Sequence, residues 1–439
     1  MTDTILTILG LSLYIPFLIQ LVRTRWTRTD WTRQLLQVSI MLEMSSLFHV
    51  PSVMYCCAGW LMAVLLVYWI VARPPFRWNI FIILSLLYVG YFAVAILWSA
   101  RPLRGAQFLI DNGLPLMGFA LIASFSAFTR DEWTQVMKTF CYTALIGVGL
   151  ALVSWIVSCC ELHMSPLQWP ILNKDEVGNI ETYRWLFRYN GGLMGYAHPS
   201  YDLLPLFAAT CIAFGLKKNK SIHPSIAWLL WAGCMVLALL TQSRMGLTYT
   251  FILLVFGILY SLPSLRSRLI IGSVIAVVGI AGLWGTWDQW KAYYSDPIRV
   301  QLYQYTWRYI ELKPWSGAGT GALNPIEVCH TINESYWPHV GYIAPERDVC
   351  DWPWKAHMLP HNQWLADWSH AGIIAALITL LMYVGMIVEC GRRRIYWGLA
   401  FMVIFIIFSC LEPPLYIGKG LYLFGALSML VYANLKREQ

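Results

Sequence analysis

The length of the apolar runs constrains this chain more than any other feature. Crossing a hydrocarbon core of ~30 Å takes ~20 apolar helical residues. Inside such a core backbone amides must be satisfied within the segment, so a succession of these runs folds as packed helices. Candidate spans lie at about 5–22, 34–51, 54–72, 77–98, 105–126, 136–158, 193–215, 225–242, 245–262, 269–287, 358–388, 395–411 and 414–434. That is twelve or thirteen, because 34–51 is short and carries Glu43 and His49, and reads equally as re-entrant or interfacial. With 58% hydrophobic and 12% charged residues and a mean hydropathy of +0.56, a soluble globular domain is excluded. The expected fold class is an all-α polytopic membrane protein of about 12 transmembrane helices. No cleavage pattern precedes Ile5–Val22, so the first run is expected to stay as a helix.

Basic residues orient the bundle. The clusters Arg23/Arg25/Arg28/Arg33, Lys217/Lys218/Lys220, Arg266/Arg268, Arg392/Arg393/Arg394 and Lys436/Arg437 all fall on one side of the spans, the expected cytoplasmic side. The opposite face receives 100–105, 159–192, 242–245, 288–359 and the turn near Glu412. Seven arginines break the rule by lying on that face: Arg101, Arg104, Arg184, Arg188, Arg244, Arg299 and Arg308. The formal net charge of +8 is spread over loops. It reads as orientation signal and contact with anionic membrane lipids, and no nucleic-acid partner is expected. The domain organisation expected is one integral membrane domain, 1–439, with a smaller external insert at 159–192 and a large external loop at 288–359. The 23 Trp and 24 Tyr fit interfacial belts, with a surplus in that loop. No Cys or His spacing suggests a metal site. Cys329 and Cys350 share the large loop, where an oxidising compartment would permit a disulfide between them.

Three segments on the far face could carry chemistry. Thr241-Gln242-Ser243-Arg244 joins two apolar runs with almost no loop. Arg244 is either a snorkelling cation at a helix end or a functional charge, the default reading of an ionisable group at a membrane. Pro360-His361-Asn362-Gln363 opens the next run, with Trp364, Leu365 and Trp368 at helical spacing. His361 there is either a packing residue or a general base, kept neutral by the helix N-terminus. Arg184 and Arg188 precede Asn190-Gly191-Gly192, which suits close approach to a phosphate or a plain tight turn. Gly317-Ala318-Gly319-Thr320-Gly321 lacks the strand–helix context of a dinucleotide loop, so no nucleotide cofactor is expected.

The order of these pieces resembles the bacterial O-antigen ligase and O-antigen polymerase superfamily of membrane glycosyltransferases. The matching features are Arg-Tyr-Asn-Gly-Gly at 188–192, Thr-Gln-Ser-Arg at 241–244 and Asp-Pro-Ile-Arg at 296–299. Trp-Ser-Gly-Ala-Gly-Thr-Gly at 315–321, Pro-His-Asn-Gln-Trp-Leu at 360–365 and Gly372 follow them. The resemblance covers roughly residues 185–390. It implies a GT-C-like bundle with a large periplasmic loop, acting at the periplasmic face of the bacterial inner membrane. The implied donor is an undecaprenyl-diphosphate-linked glycan. The implied acceptor is lipid A–core for a ligase, or a second lipid-linked repeat unit for a polymerase. Neither a metal nor another cofactor is implied. By the same resemblance Arg244 contacts diphosphate and His361 lies near the acceptor hydroxyl. Arg188, Arg184, Arg299, Arg101 and Arg104 are further diphosphate candidates.

The chemistry is consistent with that assignment. A diphosphate is already a good leaving group and needs countercharge, which arginines supply bidentately. A sugar hydroxyl is too weakly acidic to attack unaided and needs a base. Asp202, Asp296 and Asp367 are candidate second bases or orienting partners. A transporter of lipid-linked saccharide is the rival from another class, although transporters place their charges near the midplane between pseudo-symmetric halves.

Overall fold

The computed structural model describes residues 2–24, 26–49, 51–99, 101–125, 128–161, 163, 165, 186, 199–241, 243–285, 303–304, 306–307, 310–321 and 360–433. Arg184, Arg188, Arg299, Arg308, Asp296, Cys329 and Cys350 lie outside these residues, as does most of both external inserts.

Every element among the described residues is helical. The first part comprises α1 (Thr2–Gly10), α2 (Ile15–Arg23), α3 (Trp31–Ser46), α4 (Pro51–Ala72) and α5 (Ile80–Val94). It continues with α6 (Pro102–Phe108), α7 (Leu114–Phe125) and α8 (Arg130–Glu161). The second part comprises α9 (Pro199–Lys218), α10 (Pro224–Leu240), α11 (Arg244–Ser261) and α12 (Leu265–Gly285). After the large loop come α13 (Gln363–Ala371), α14 (Ile373–Arg393), α15 (Tyr396–Leu411) and α16 (Gly418–Tyr432). Among the described residues seven stretches are long and apolar enough to cross a membrane: Thr4–Arg23, Pro51–Ala72, Ile80–Trp98, Pro102–Phe125, Arg130–Glu161, Arg244–Ser261 and Ile373–Arg393. α10 and α15 are shorter apolar helices.

Two helices form the centre. All residues of α16 are buried, and so is α9 from Tyr201 to Leu216. A helix apolar on all sides belongs inside a bundle, and the residues of α16 leave no polar stripe to face elsewhere. The two buried charges neutralise each other: Lys419, at the start of α16, donates to Asp202, at the start of α9. Breaking such a pair from one side would leave an uncompensated buried charge.

Of the basic clusters, Arg25, Lys436 and Arg437 lie outside the described residues. Packing places the described members at one end. There Arg33 meets Glu132 at 3.4 Å, Lys217 donates to Ser261 at 3.0 Å, and Lys218 lies 4.3 Å over the Tyr260 ring. Arg393 donates to the Ala433 carbonyl at 3.0 Å at the same end. The other end collects the starts of α9, α11 and α16, the end of α15, and α13.

The apolar run expected at 358–388 is broken. α13 ends at Gly372 (φ +83°), and α14 starts anew at Ile373. The break is held by the glycine segment 317–321. Its amides donate from Ala318 to the Ser369 carbonyl (2.9 Å), from Gly319 to His370 (2.7 Å) and from Thr320 to Ala95 (3.2 Å). Thr320 Oγ1 also donates to the Phe92 carbonyl at 2.6 Å. These are the orphan carbonyls at the ends of α13 and α5, so the glycines splice two helix ends together. Gly319 adopts φ +92°, and a Cβ there would lie 2.5 Å from Ser99 Cα.

Gly319→Ala is therefore expected to cost on the order of 1–3 kcal/mol through backbone strain and to lower the thermal midpoint in detergent. Gly59→Ala, on α4 with open space around it, should melt at or above wild type. Equal midpoints for the two variants would contradict the splice.

Candidate functional site

His361 does not start a membrane helix. It stands two residues before α13, whose N-cap is Asn362. The Asn362 side chain accepts from Leu365 N at 3.0 Å and donates through Nδ2 to the Cys410 carbonyl at 3.0 Å. Gln363, fully buried, accepts from Leu415 N at 2.9 Å and donates to Asp367 at 2.9 Å. Tyr303 donates its hydroxyl to the His361 carbonyl at 2.7 Å. The Pro-His-Asn-Gln segment is thus clasped onto the end of α15 and the turn that follows it. Backbone and side chain are both held, which limits the positions the imidazole can take.

The ring itself is oriented by Glu412, whose Oε2 lies 2.9 Å from His361 Nδ1. Glu412 is 2% exposed and the His361 side chain 32%. A carboxylate accepts only, so Nδ1 carries the proton, and in the neutral ring Nε2 is the basic nitrogen. Among the described residues Nε2 meets no hydrogen-bonding partner. The side chain as a whole is partly exposed. A buried acid fixing one ring nitrogen and a reachable second nitrogen is the geometry of a positioned general base.

Arg244 is brought to the same end. Ser243 caps α11, accepting from Gly246 N at 3.0 Å, and Arg244 is the first helical residue, half-buried. One turn further on, the Tyr249 ring lies 6.4 Å from Phe408, which is one turn below Glu412 on α15. α11 and α15 run in opposite directions. Both the Arg244 and the Glu412 ends therefore lie within about 8 Å of that ring contact along the axes. The guanidinium and the imidazole thus share one end of the bundle.

The other candidates divide. Arg101, half-buried, and Arg104, exposed, flank the start of α6, where Ser99 packs on the glycine segment behind the last turn of α13. They share the end of the bundle with His361, but the length of α13, about 13 Å, lies between. Asp202 is taken by Lys419 and Asp367 is 0% exposed against Gln363. Each serves packing, so neither is reachable as a second base.

The motif pattern passes over Glu412 and Tyr303, which contact His361, and Lys419, which pairs with Asp202. The one signal for Glu412 is an acid in Ser-Cys-Leu-Glu-Pro-Pro, ending an apolar run at the face that also carries His361.

Residues 227–380 match a protein-family model described as O-antigen ligase. The matched stretch contains Arg244, the glycine segment and His361, and ends within α14, before Glu412. The resemblance to the O-antigen ligase superfamily is borne out over this stretch. No curated protein matches the chain.

Two substitutions at Asn362 separate its roles. Asn362→Ala removes both the cap, at about 1 kcal/mol, and the bond to Cys410. Asn362→Asp keeps an acceptor for the cap and removes only the donor. The aspartate variant is expected to melt closer to wild type while both variants turn over more slowly. Wild-type turnover by Asn362→Asp would show that the clasp is not needed for activity.

Proposed function

We propose that this chain, which carries an O-antigen ligase family domain over residues 227–380, is a glycosyltransferase. It moves a glycan from undecaprenyl diphosphate to a sugar hydroxyl of lipid A–core. The reaction takes place at the periplasmic face of the inner membrane, within a GT-C-like bundle of about 12 spans and a large periplasmic loop. The observation that carries the reading is the His361–Glu412 pair. It presents a reachable basic nitrogen at the same end of the bundle as Arg244.

The acceptor hydroxyl approaches Nε2 of His361. Its oxygen attacks the anomeric carbon, its proton passes to Nε2, and the carbon–oxygen bond to the diphosphate breaks with its electron pair. Glu412 stabilises the imidazolium that forms. Arg244 faces the charge that gathers on the leaving diphosphate, where a guanidinium in a partly desolvated setting is most effective. A single displacement inverts the anomeric configuration. Countercharge from arginine makes the reaction metal-independent in this reading. Arg101 and Arg104 stand at the same end and suit the outer part of a long donor, and Arg184, Arg188 and Arg299 are further candidates for the diphosphate. Cys329 and Cys350 are proposed to pair within the large loop.

The test uses purified protein in detergent with EDTA and undecaprenyl-diphosphate glycan, with and without lipid A–core, and products resolved on a gel. Glycan on lipid A–core is expected. Both His361→Ala and Arg244→Ala should reduce it by about 10²- to 10⁴-fold. Longer lipid-linked chains in the donor-only tube would identify a repeat-unit polymerase. An intact donor in both tubes would contradict the transferase and favour a transporter.

A further inference from the structure

A groove of about 710 Å³ opens at the basic end of the bundle, between the start of α5, the end of α7, the stretch of α14 from Leu381 to Arg393 and the end of α16. Its size is within the ~300–1,000 Å³ range of small-molecule sites. The walls divide by chemistry. The trough is apolar, formed by Leu84, Leu381, Val384, Gly385 and Val388. The mouth carries Arg77, Arg392, Arg393 and Trp78, with Glu389 as its one carboxylate.

Glu389 is shared by two of these cations: Arg392 donates to it at 2.7 Å, and Arg393 also donates to it. Arg393 is further committed to the Ala433 carbonyl. Arg77 is exposed, and the Arg392 side chain is 69% exposed despite its bond. Three guanidinium groups against one carboxylate leave positive charge at the mouth. Leu381, Val384 and Val388 are 52%, 44% and 59% exposed, so the trough opens sideways from the bundle onto the surface that bilayer hydrocarbon would cover. Trp78, 68% exposed, stands at the same level as the arginines, the depth at which indole favours the membrane interface.

We propose that this groove binds an anionic phospholipid of the leaflet at the basic end, with its phosphate on Arg77 and Arg392 and one acyl chain along the α14 side of the trough. The side opening selects a lipid over a soluble phosphate. A soluble anion would use the mouth and gain nothing from an apolar wall, whereas a phospholipid presents both parts at the matching depth. Basic recesses between helices on the cytoplasmic side bind acidic headgroups for this reason. The groove is at the opposite end of the bundle from His361, so it stands or falls independently of the transferase reading.

Native mass spectrometry of the full-length protein in detergent tests the site. Phosphatidylglycerol and phosphatidylcholine with identical acyl chains would be added separately, and glycerol 3-phosphate would serve as the soluble competitor. Wild type is expected to retain phosphatidylglycerol roughly tenfold better than phosphatidylcholine. Arg77→Gln with Arg392→Gln should abolish that preference, and both side chains are exposed enough for the fold to tolerate the change. Val384→Trp fills the trough with every arginine in place and should reduce retention of both lipids. Equal retention of the two lipids by wild type, or unchanged retention in both variants, would overturn the proposal. Displacement of phosphatidylglycerol by glycerol 3-phosphate would also overturn it, in favour of a soluble anion.

Discussion

A carboxylate placed where water hardly reaches it is costly unless something shares its charge or its hydrogen bonds. Glu412 meets that requirement by accepting from His361, and much of the far end of the bundle is arranged around this contact. α15 ends where it does to present Glu412, and the turn after it accepts the Pro-His-Asn-Gln segment through Cys410 and Leu415. Tyr303 reaches over from the external loop to the same segment. An imidazole held at one nitrogen, at its backbone carbonyl and through its neighbours loses little further freedom when a substrate arrives. That is the pre-organisation a positioned base needs.

The bundle separates its charges by end. Cations gather at the basic end, where several meet carbonyls, aromatic rings or carboxylates, as Lys218, Arg33 and Arg393 do. At the far end the buried charges are held in defined surroundings, while Arg104 is exposed. Lys419 and Asp202 neutralise each other between the two central helices, while Arg244 opens α11 at the end that also carries His361. The two ends carry the two proposals: a lipid-borne anion reacting at one, and membrane headgroups bound at the other.

The helical class, the grouping of the described basic residues and the placement of Arg244 and His361 at the opposite end were legible in the sequence, because hydropathy and positive charge are local signals. The partners of His361 were not. Glu412 lies 51 residues away and its role depends on how α15 and α13 meet. The break at Gly372 was hidden for a similar reason. The run 358–388 is continuously apolar enough to read as one span, and only the backbone of the glycine segment, arriving from the preceding loop, shows why it must bend. That segment looked like an abbreviated nucleotide loop, yet its amides are occupied by the carbonyls of α13 and α5. Asp367 and Asp202 looked available as bases because burial is not visible in composition.

The most direct measurement is a double-mutant cycle on turnover with His361→Ala, Glu412→Ala and the combination. If Glu412 acts by holding and charging His361, its substitution slows the wild-type enzyme but adds nothing once the imidazole is gone, so the double variant matches His361→Ala alone. Losses that multiply in the double variant would mean that the two residues act separately, and the pair would no longer explain the site.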